Sequence, residues 1–170
     1  MPTPKSIILT IALLAATLTG CTQSGKKSAA TPDSSSFAAL QDRGAMAMGV
    51  DQYTSKHTFD ITPDGGRISL QRDSADSLGI AQIRAHMRLI QHAFEAGDFS
   101  TPAFVHSREM PGTRVMTQKR DAISYRYQDL PRGGAVVITT QDSAARAAIA
   151  EFMSAQRGDH HSGGSGQPRH

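Results

Sequence analysis

The stretch YTSKHTFDITPDGGRISLQR (residues 53–72) decides the fold, because ISYRYQDLPRGGAVVITT (residues 123–140) repeats its pattern. In the first copy Tyr53, His57, Phe59 and Ile61 fall on one face, and Thr54, Lys56, Thr58, Asp60 and Thr62 fall on the other. Such alternation predicts a half-buried strand. Pro63-Asp64-Gly65-Gly66 then turns the chain, and the returning strand Arg67–Arg72 carries Ile68 and Leu70 inward. In the second copy Ile123, Tyr125 and Tyr127 alternate, Pro131-Arg132-Gly133-Gly134 turns, and Val136 and Ile138 face inward. Both glycine pairs are assigned to hairpin turns.

Each hairpin is followed by a helical pattern. After Asp76, Ile80, Ile83, Met87, Ile90 and Phe94 recur at steps of three and four, and Gly97 stops the run. After a cap at Asp142 or Ser143, Ala145, Ala148, Ile149, Phe152 and Met153 share one face. The glycine pairs lie 68 residues apart, and Ile83 and Ile149 lie 66 apart. The expectation is an α+β fold of duplicated ββα units, a four-stranded antiparallel sheet with two helices on one face; the pairing order of the hairpins stays open. Residues 98–122 join the halves and are too long for a plain connector, so function is expected there. Phe104-Val105-His106 is assigned to a short strand, Met110-Pro111-Gly112 to a turn and Val115–Arg120 to a short helix.

Outside this repeat the chain states an address. Lys5 precedes an uncharged, mostly apolar run from Ile7 to Leu18, shorter than the ~20 residues of a membrane span and suited to a secretory signal. Leu18-Thr19-Gly20-Cys21 matches the bacterial lipobox, in which the cysteine is lipidated and becomes N-terminal. Several acyl chains, palmitate among them, on Cys21 would anchor the protein stably without spanning the bilayer. Thr22, where an Asp would retain the protein at the inner membrane, points to the outer membrane, with the domain facing the periplasm. The organisation expected is a signal peptide over residues 1–20, a lipid-anchored flexible linker over 21–45, the duplicated domain over 46–157, and a disordered His/Gly-rich tail over 158–170. The Arg157-Gly158-Asp159 tripeptide falls at this last boundary and carries no weight as an adhesion motif.

Composition narrows the function classes. The 170 residues carry a formal charge of +3 with 19% charged residues, too modest an excess for a nucleic-acid partner. One cysteine excludes an intramolecular disulfide and a Cys-rich zinc site. No Gly-x-Ser-x-Gly elbow, His-Glu-x-x-His helix or complete phosphate-binding Gly-x-x-x-x-Gly-Lys-Ser/Thr loop occurs. Asp51 or Glu109 could pair with a histidine for acid–base work, but the spacing does not require it.

The chemistry therefore falls to histidine and methionine. Of seven histidines, His160, His161 and His170 lie in the tail, and His92 faces away from the apolar stripe of its helix. His57 faces inward, His86 borders the stripe and His106 sits in the connector. Thioethers and imidazoles together suit Cu(I), and an exported domain without a thiol would have to bind copper that way. Met46, Met48, Met110 and Met116 are the available thioethers, with Met110 and Met116 nearest the connector histidine; Met87 and Met153 belong to the core.

The domain resembles a group of small bacterial secreted proteins often labelled aspartate carbamoyltransferase. The resemblance runs from Met46 to His160 through Met48-Gly49-Val50-Asp51-Gln52, Lys56-His57-Thr58-Phe59, Ile83-Arg84-Ala85-His86, Gly97-Asp98-Phe99, Phe104-Val105-His106, Met110-Pro111-Gly112-Thr113, Ala148-Ile149-Ala150-Glu151-Phe152 and Asp159-His160. The label does not transfer: that enzyme is about twice as long and needs a Ser-Thr-Arg-Thr-Arg loop and a His-Pro-x-Gln segment, both missing here. The group's usual pattern has Thr-His-His-Phe in the first strand and Ala-Ile-His-Asp-Phe in the last helix. This chain keeps one histidine of the first pair, His57, and has Ala150 in the helix, which weakens any shared multi-histidine metal site. His57, His86, His106 and His160 stand at matching positions.

The functional expectation is a non-enzymatic, lipid-anchored periplasmic domain that binds a small ligand or a metal ion, copper being the metal favoured. His57, His86 and His106 are its polar candidates, and Met110 and Met116 its soft ligands. The alternative is a structural or partner-binding envelope lipoprotein, using its sheet face or connector against another envelope protein.

Overall fold

Two-residue turns set the register of both hairpins. The computed structural model describes residues 34–49 and 52–160. The signal segment, Cys21, most of the tether, Asp51 and tail residues 161–170 lie outside the described residues. Strand β1 (Ser55–Thr62) pairs antiparallel with β2 (Gly65–Arg72), with Thr62 opposite Gly65 across Pro63-Asp64. Strand β3 (Ile123–Leu130) pairs likewise with β4 (Gly133–Thr140) across Pro131-Arg132. The two inner strands pair with each other, giving one antiparallel sheet in the order β1-β2-β4-β3.

The glycine pairs therefore begin strands instead of forming turns, a correction with a packing cause. A Cβ on Gly65 would lie 2.1 Å from the Ile138 carbonyl oxygen, and one on Gly133 would lie 2.0 Å from that of Leu70. The seam between hairpins closes only because these positions carry no side chain.

Rows of inward residues cross the sheet: Phe59, Ile68, Val136 and Tyr127 form one, and His57, Leu70 and Gly134 lie in the next. Helices α2 (Ser77–Glu95) and α5 (Ser143–Asp159) cover this face. The α2 helix buries Ile83, Met87, Ile90 and Phe94, with Ile80 only partly covered. It ends as expected: Gly97, at φ 78°, donates to Phe94 O (3.0 Å) and Asp98 to Ala93 O (2.8 Å), satisfying the last carbonyls. The α5 helix buries Ala145, Ala148, Ile149, Phe152 and Met153, and Asp142 caps it by accepting from the amides of Ala144 and Ala145. The helices exchange hairpins, since α2 lies mainly on β3 and β4 while α5 lies on β1 and β2. Neither helix lies mainly on the hairpin of its own repeat, so the halves stabilise each other at ~1.5–3 kcal/mol per buried large side chain.

Four boundaries differ from the sequence reading. Tyr53 precedes β1 in a 3-10 turn (Gln52–Thr54) and is exposed, and Ile61 is 44% exposed, because β1 is an edge strand whose inward face is covered only around Phe59. The segment holding Phe104, Val105 and His106 is helix α3 (Ser100–His106), not a strand. Its buried residues Pro102, Val105 and His106 follow helical spacing, and the Asp98 carboxylate accepts from the Ser100 amide at its start (2.8 Å). Pro102 costs no hydrogen bond there, because a helix's first amides have no internal partner. A helix over Thr113–Gln118, α4, follows as expected.

The part of the linker assigned to residues 34–45 belongs to helix α1 (Ser34–Met48), which packs on α3 and buries Leu40, Gly44 and Met48 at helical spacing. Arg43 Nε also donates to Val105 O of α3 (2.7 Å). At the other end α5 continues through Asp159, beyond the domain boundary assigned at 157. Arg157 donates through Nε and Nη2 to Phe59 O (3.1 and 2.7 Å), which ties the end of α5 to β1. The Arg157-Gly158-Asp159 tripeptide is thus held inside a packed helix.

Candidate functional site

Four of the seven histidines line one cavity. His57 comes from β1, His86 from α2, His106 from α3, and His160 follows the last turn of α5. The volume is about 50 Å³, room for a few water-sized groups or an ion. The remaining wall is largely apolar and includes Phe59, Ile68, Ile90, Phe94, Val105 and Phe152.

Each ring is held differently. His57 is brought inward by strand alternation opposite Leu70, and its ring lies 4.4 Å from that of Phe59, centroid to centroid. Its Nδ1 is sealed from solvent and has no hydrogen-bond partner among the described residues. Burial pushes the His57 pKa well below the ordinary histidine value, and the neighbouring His160, His86 and His106 add to the shift. The His86 pKa is lowered to about 4, again by burial, against the opposing effect of its hydrogen bond to the Ala47 backbone at the end of α1. Neutral imidazoles with available lone pairs are therefore the resting form at neutral pH.

His106 is buried and bonded at both nitrogens. Nδ1 lies 2.8 Å from Asp159 Oδ2 and Nε2 lies 2.7 Å from Gln156 Oε1. The carboxylate fixes the Nδ1–H tautomer; Nε2 then accepts from Gln156 once the amide is turned to present its NH2. Asp159 also accepts from Arg108 Nη2 at 2.6 Å. Burial lowers the His106 pKa, and Asp159 and Gln156 oppose that shift. A Ser–His–Asp array would place its nucleophile against Nε2. Gln156 occupies that place, so this His–Asp pair is arranged to hold α3 against α5.

His160 completes the group. Its ring stacks on Phe59 (5.3 Å), stands edge-on to His57 (5.3 Å) and is nearly perpendicular to His106 (5.1 Å, 82°). The four rings share the cavity without converging on one point: among the described residues, no three His, Cys, Asp or Glu side chains are grouped to hold a metal ion.

The structure thus brings together His57, His86 and His106, and adds His160, which the sequence reading placed in the tail. It separates Met110 and Met116 from them. Met110 is 2% exposed and Met116 0%, both packed in the core where the connector folds against α5, and neither lines the cavity. The methionines that do line it are Met48, from α1, and Met87, from α2. Met46 is exposed, and His92 is exposed beside Glu95 as its helical phase implies. Glu109 is exposed, and the carboxylate that meets a histidine is Asp159. Asp159 was hidden from sequence reasoning by a tail boundary drawn two residues too early; Gln156 lay inside the domain, at the same helical phase as Phe152 and Ile149, which could have revealed it.

Among the described residues, no helix is long and apolar enough to cross a membrane. No family model matches the chain, and neither a curated protein nor a solved structure matches it.

Proposed function

We propose that the chain is a non-enzymatic, lipid-anchored envelope protein whose domain binds a small ligand or metal ion in the four-histidine cavity, facing the periplasm from the outer membrane. One observation carries the binding reading: four elements each deliver a histidine to the same small, largely apolar space. Histidines there cost desolvation free energy, and the unpartnered Nδ1 of His57 leaves a buried polar atom that a ligand would satisfy. The resemblance to small secreted bacterial proteins supports the same reading, because the motifs that carry it supply all four rings. The place of the group's second strand histidine is Thr58, whose hydroxyl bonds Ser69 Oγ (2.6 Å) on the opposite face of the sheet. Its replacement leaves the cavity untouched. The anchor rests on the lipobox ending at Cys21 and on the apolar run before it.

Metal binding is tested on the full chain in detergent, with His161→Ala and His170→Ala to remove tail imidazoles. The protein is equilibrated with Cu(I), Cu(II) or Zn(II), and retained metal is measured. About one equivalent of at least one ion is expected, with binding lost in His57→Ala combined with His106→Ala. No stoichiometric binding, or binding indifferent to those substitutions, contradicts the metal form of the proposal. A second reading, an envelope module that docks a partner, draws support from Met46 on α1 and Phe104 on α3. Both are large apolar side chains exposed on helices that pack together.

A further inference from the structure

We infer that α2 pairs antiparallel with the α2 helix of a second copy of this chain, through Leu78, Gln82, Ala85, Leu89, His92 and Ala96 on its outer side. These six lie almost opposite the row of Ile83, Met87, Ile90 and Phe94 that α2 buries, and none of them lines the histidine cavity. Three observations point to this contact.

The first is an exposed apolar stripe with a partner's spacing. All six residues are exposed, Leu78 at 70% and Leu89 at 68%, so no described element covers this side of α2. They recur at steps of 4, 3, 4, 3 and 4. That is the repeat of about 3.5 residues that keeps one seam of a helix against another helix. The solvent side of a helix ordinarily carries charge, and none of the six is Asp, Glu, Lys or Arg. Arg88, beside the stripe, is drawn toward β3: its guanidinium sits 4.2 Å over the Tyr127 ring, with Nη2 3.5 Å from Asp129 Oδ1.

The second is self-complementarity, which selects a second copy as the occupant. Turned end for end about Met87, the stripe meets itself with a large side chain against a small one. Leu89 falls opposite the partner's Ala85, and Leu78 opposite the partner's Ala96. The remaining layer sets Gln82 against the partner's His92, an amide and an imidazole able to bond one another. A single polar layer of this kind also fixes register. An unrelated partner would not require leucines and alanines at positions exchanged by a two-fold axis.

The third is size. From Leu78 to Ala96 the stripe runs about 27 Å at 1.5 Å per residue. Two helices in contact over that length cover roughly 1,000 Å² in total, the lower end for a specific interface. The dimer is therefore a weak one, with a dissociation constant on the order of 10 μM.

The test is sedimentation equilibrium of the full chain in density-matched detergent, comparing the parent with variants on the exposed stripe. The parent is expected to be largely dimeric at ~100 μM and to dissociate on dilution. Leu89→Ala leaves alanine facing alanine in two symmetric layers, and Ala85→Leu sets leucine against leucine. Each should weaken the dimer at least ~10-fold. Ala85→Leu combined with Leu89→Ala restores a large residue against a small one and should recover the parent constant within ~3-fold. Urea midpoints of the three variants should stay close to the parent's, since the positions are exposed. A monomer at ~100 μM, an association indifferent to the single substitutions, or a double variant as weak as the sum of its parts would overturn the inference.

Discussion

His57 and Tyr125 occupy equivalent positions 68 residues apart in the repeat, and each places a polar atom without a partner inside the protein: Nδ1 of His57 and the hydroxyl of Tyr125. Equivalent backbone sites thus carry different chemistry. His57 opens onto the cavity while Tyr125 packs against Phe94 at 6.0 Å in the closed part of the core. The histidines make stability depend on pH in a defined direction. Burial lowers the pKa values of His57, His86 and His106 below 6.5, so these rings are harder to protonate when folded than when unfolded. Between pH 6.5 and about 4, the window set by His86, the unfolded chain binds more protons and stability falls as the pH falls. The slope is at most ~1.4 kcal/mol per pH unit for each histidine. Asp98, Asp129 and Asp142 have lowered pKa values from their hydrogen bonds, so their stabilisation is lost only as the pH falls below the ordinary carboxylate value of 3.8. Urea midpoints should therefore be lower at pH 5 than at pH 7.5, with His86→Gln flattening the difference. Equal midpoints would show that the rings are not buried as neutral groups.

At the scale of elements, the seam between β2 and β4 is the most demanding contact. Gly133→Ala would drive a Cβ into the Leu70 carbonyl and force the strands apart. A loss of about 3 kcal/mol is expected by urea unfolding, at the upper end of overpacking costs. Gly158→Ala, where an added Cβ meets nothing within 4 Å, should leave stability unchanged or raise it by less than ~1 kcal/mol. A loss in both variants, or in neither, would contradict the seam. Strands and long helices were legible in the sequence because Phe59, Ile68, Val136, Ile83 and Ile149 recur at the period of their element. The α3 helix was not, because two adjacent strand-forming residues, Phe104 and Val105, outweighed the helical spacing of Pro102, Val105 and His106. The α1 helix escaped for another reason: Gly44 stands in its buried row between Leu40 and Met48, leaving a stripe too faint to register as apolar.

Over the whole molecule, the two hairpins and their exchanged helices enclose the core, and α1, α3 and the end of α5 add a second layer at one end, where the histidines gather. The repeat made the sheet legible, but the site lies where the repeat is broken: α3 and α1 have no counterpart in the other half, and His160 follows the helix end. Residue spacing alone marked His57, His86 and His106 as candidates. It did not bring them together, because their meeting depends on α5 reaching β1 through Arg157 and on α1 reaching His86 through Ala47. The same packing withdrew Met110 and Met116 into the core and put Met48 and Met87 on the cavity wall. The central claim is that this cavity is a binding site, and it is tested most directly by nitrogen-15 resonances of the imidazole rings recorded before and after one equivalent of Cu(I), a diamagnetic ion. The expected result is that His57, whose Nδ1 has no partner among the described residues, shifts and the exposed His92 does not. No shift at any cavity histidine, or a shift at His92 as large as theirs, would contradict the account.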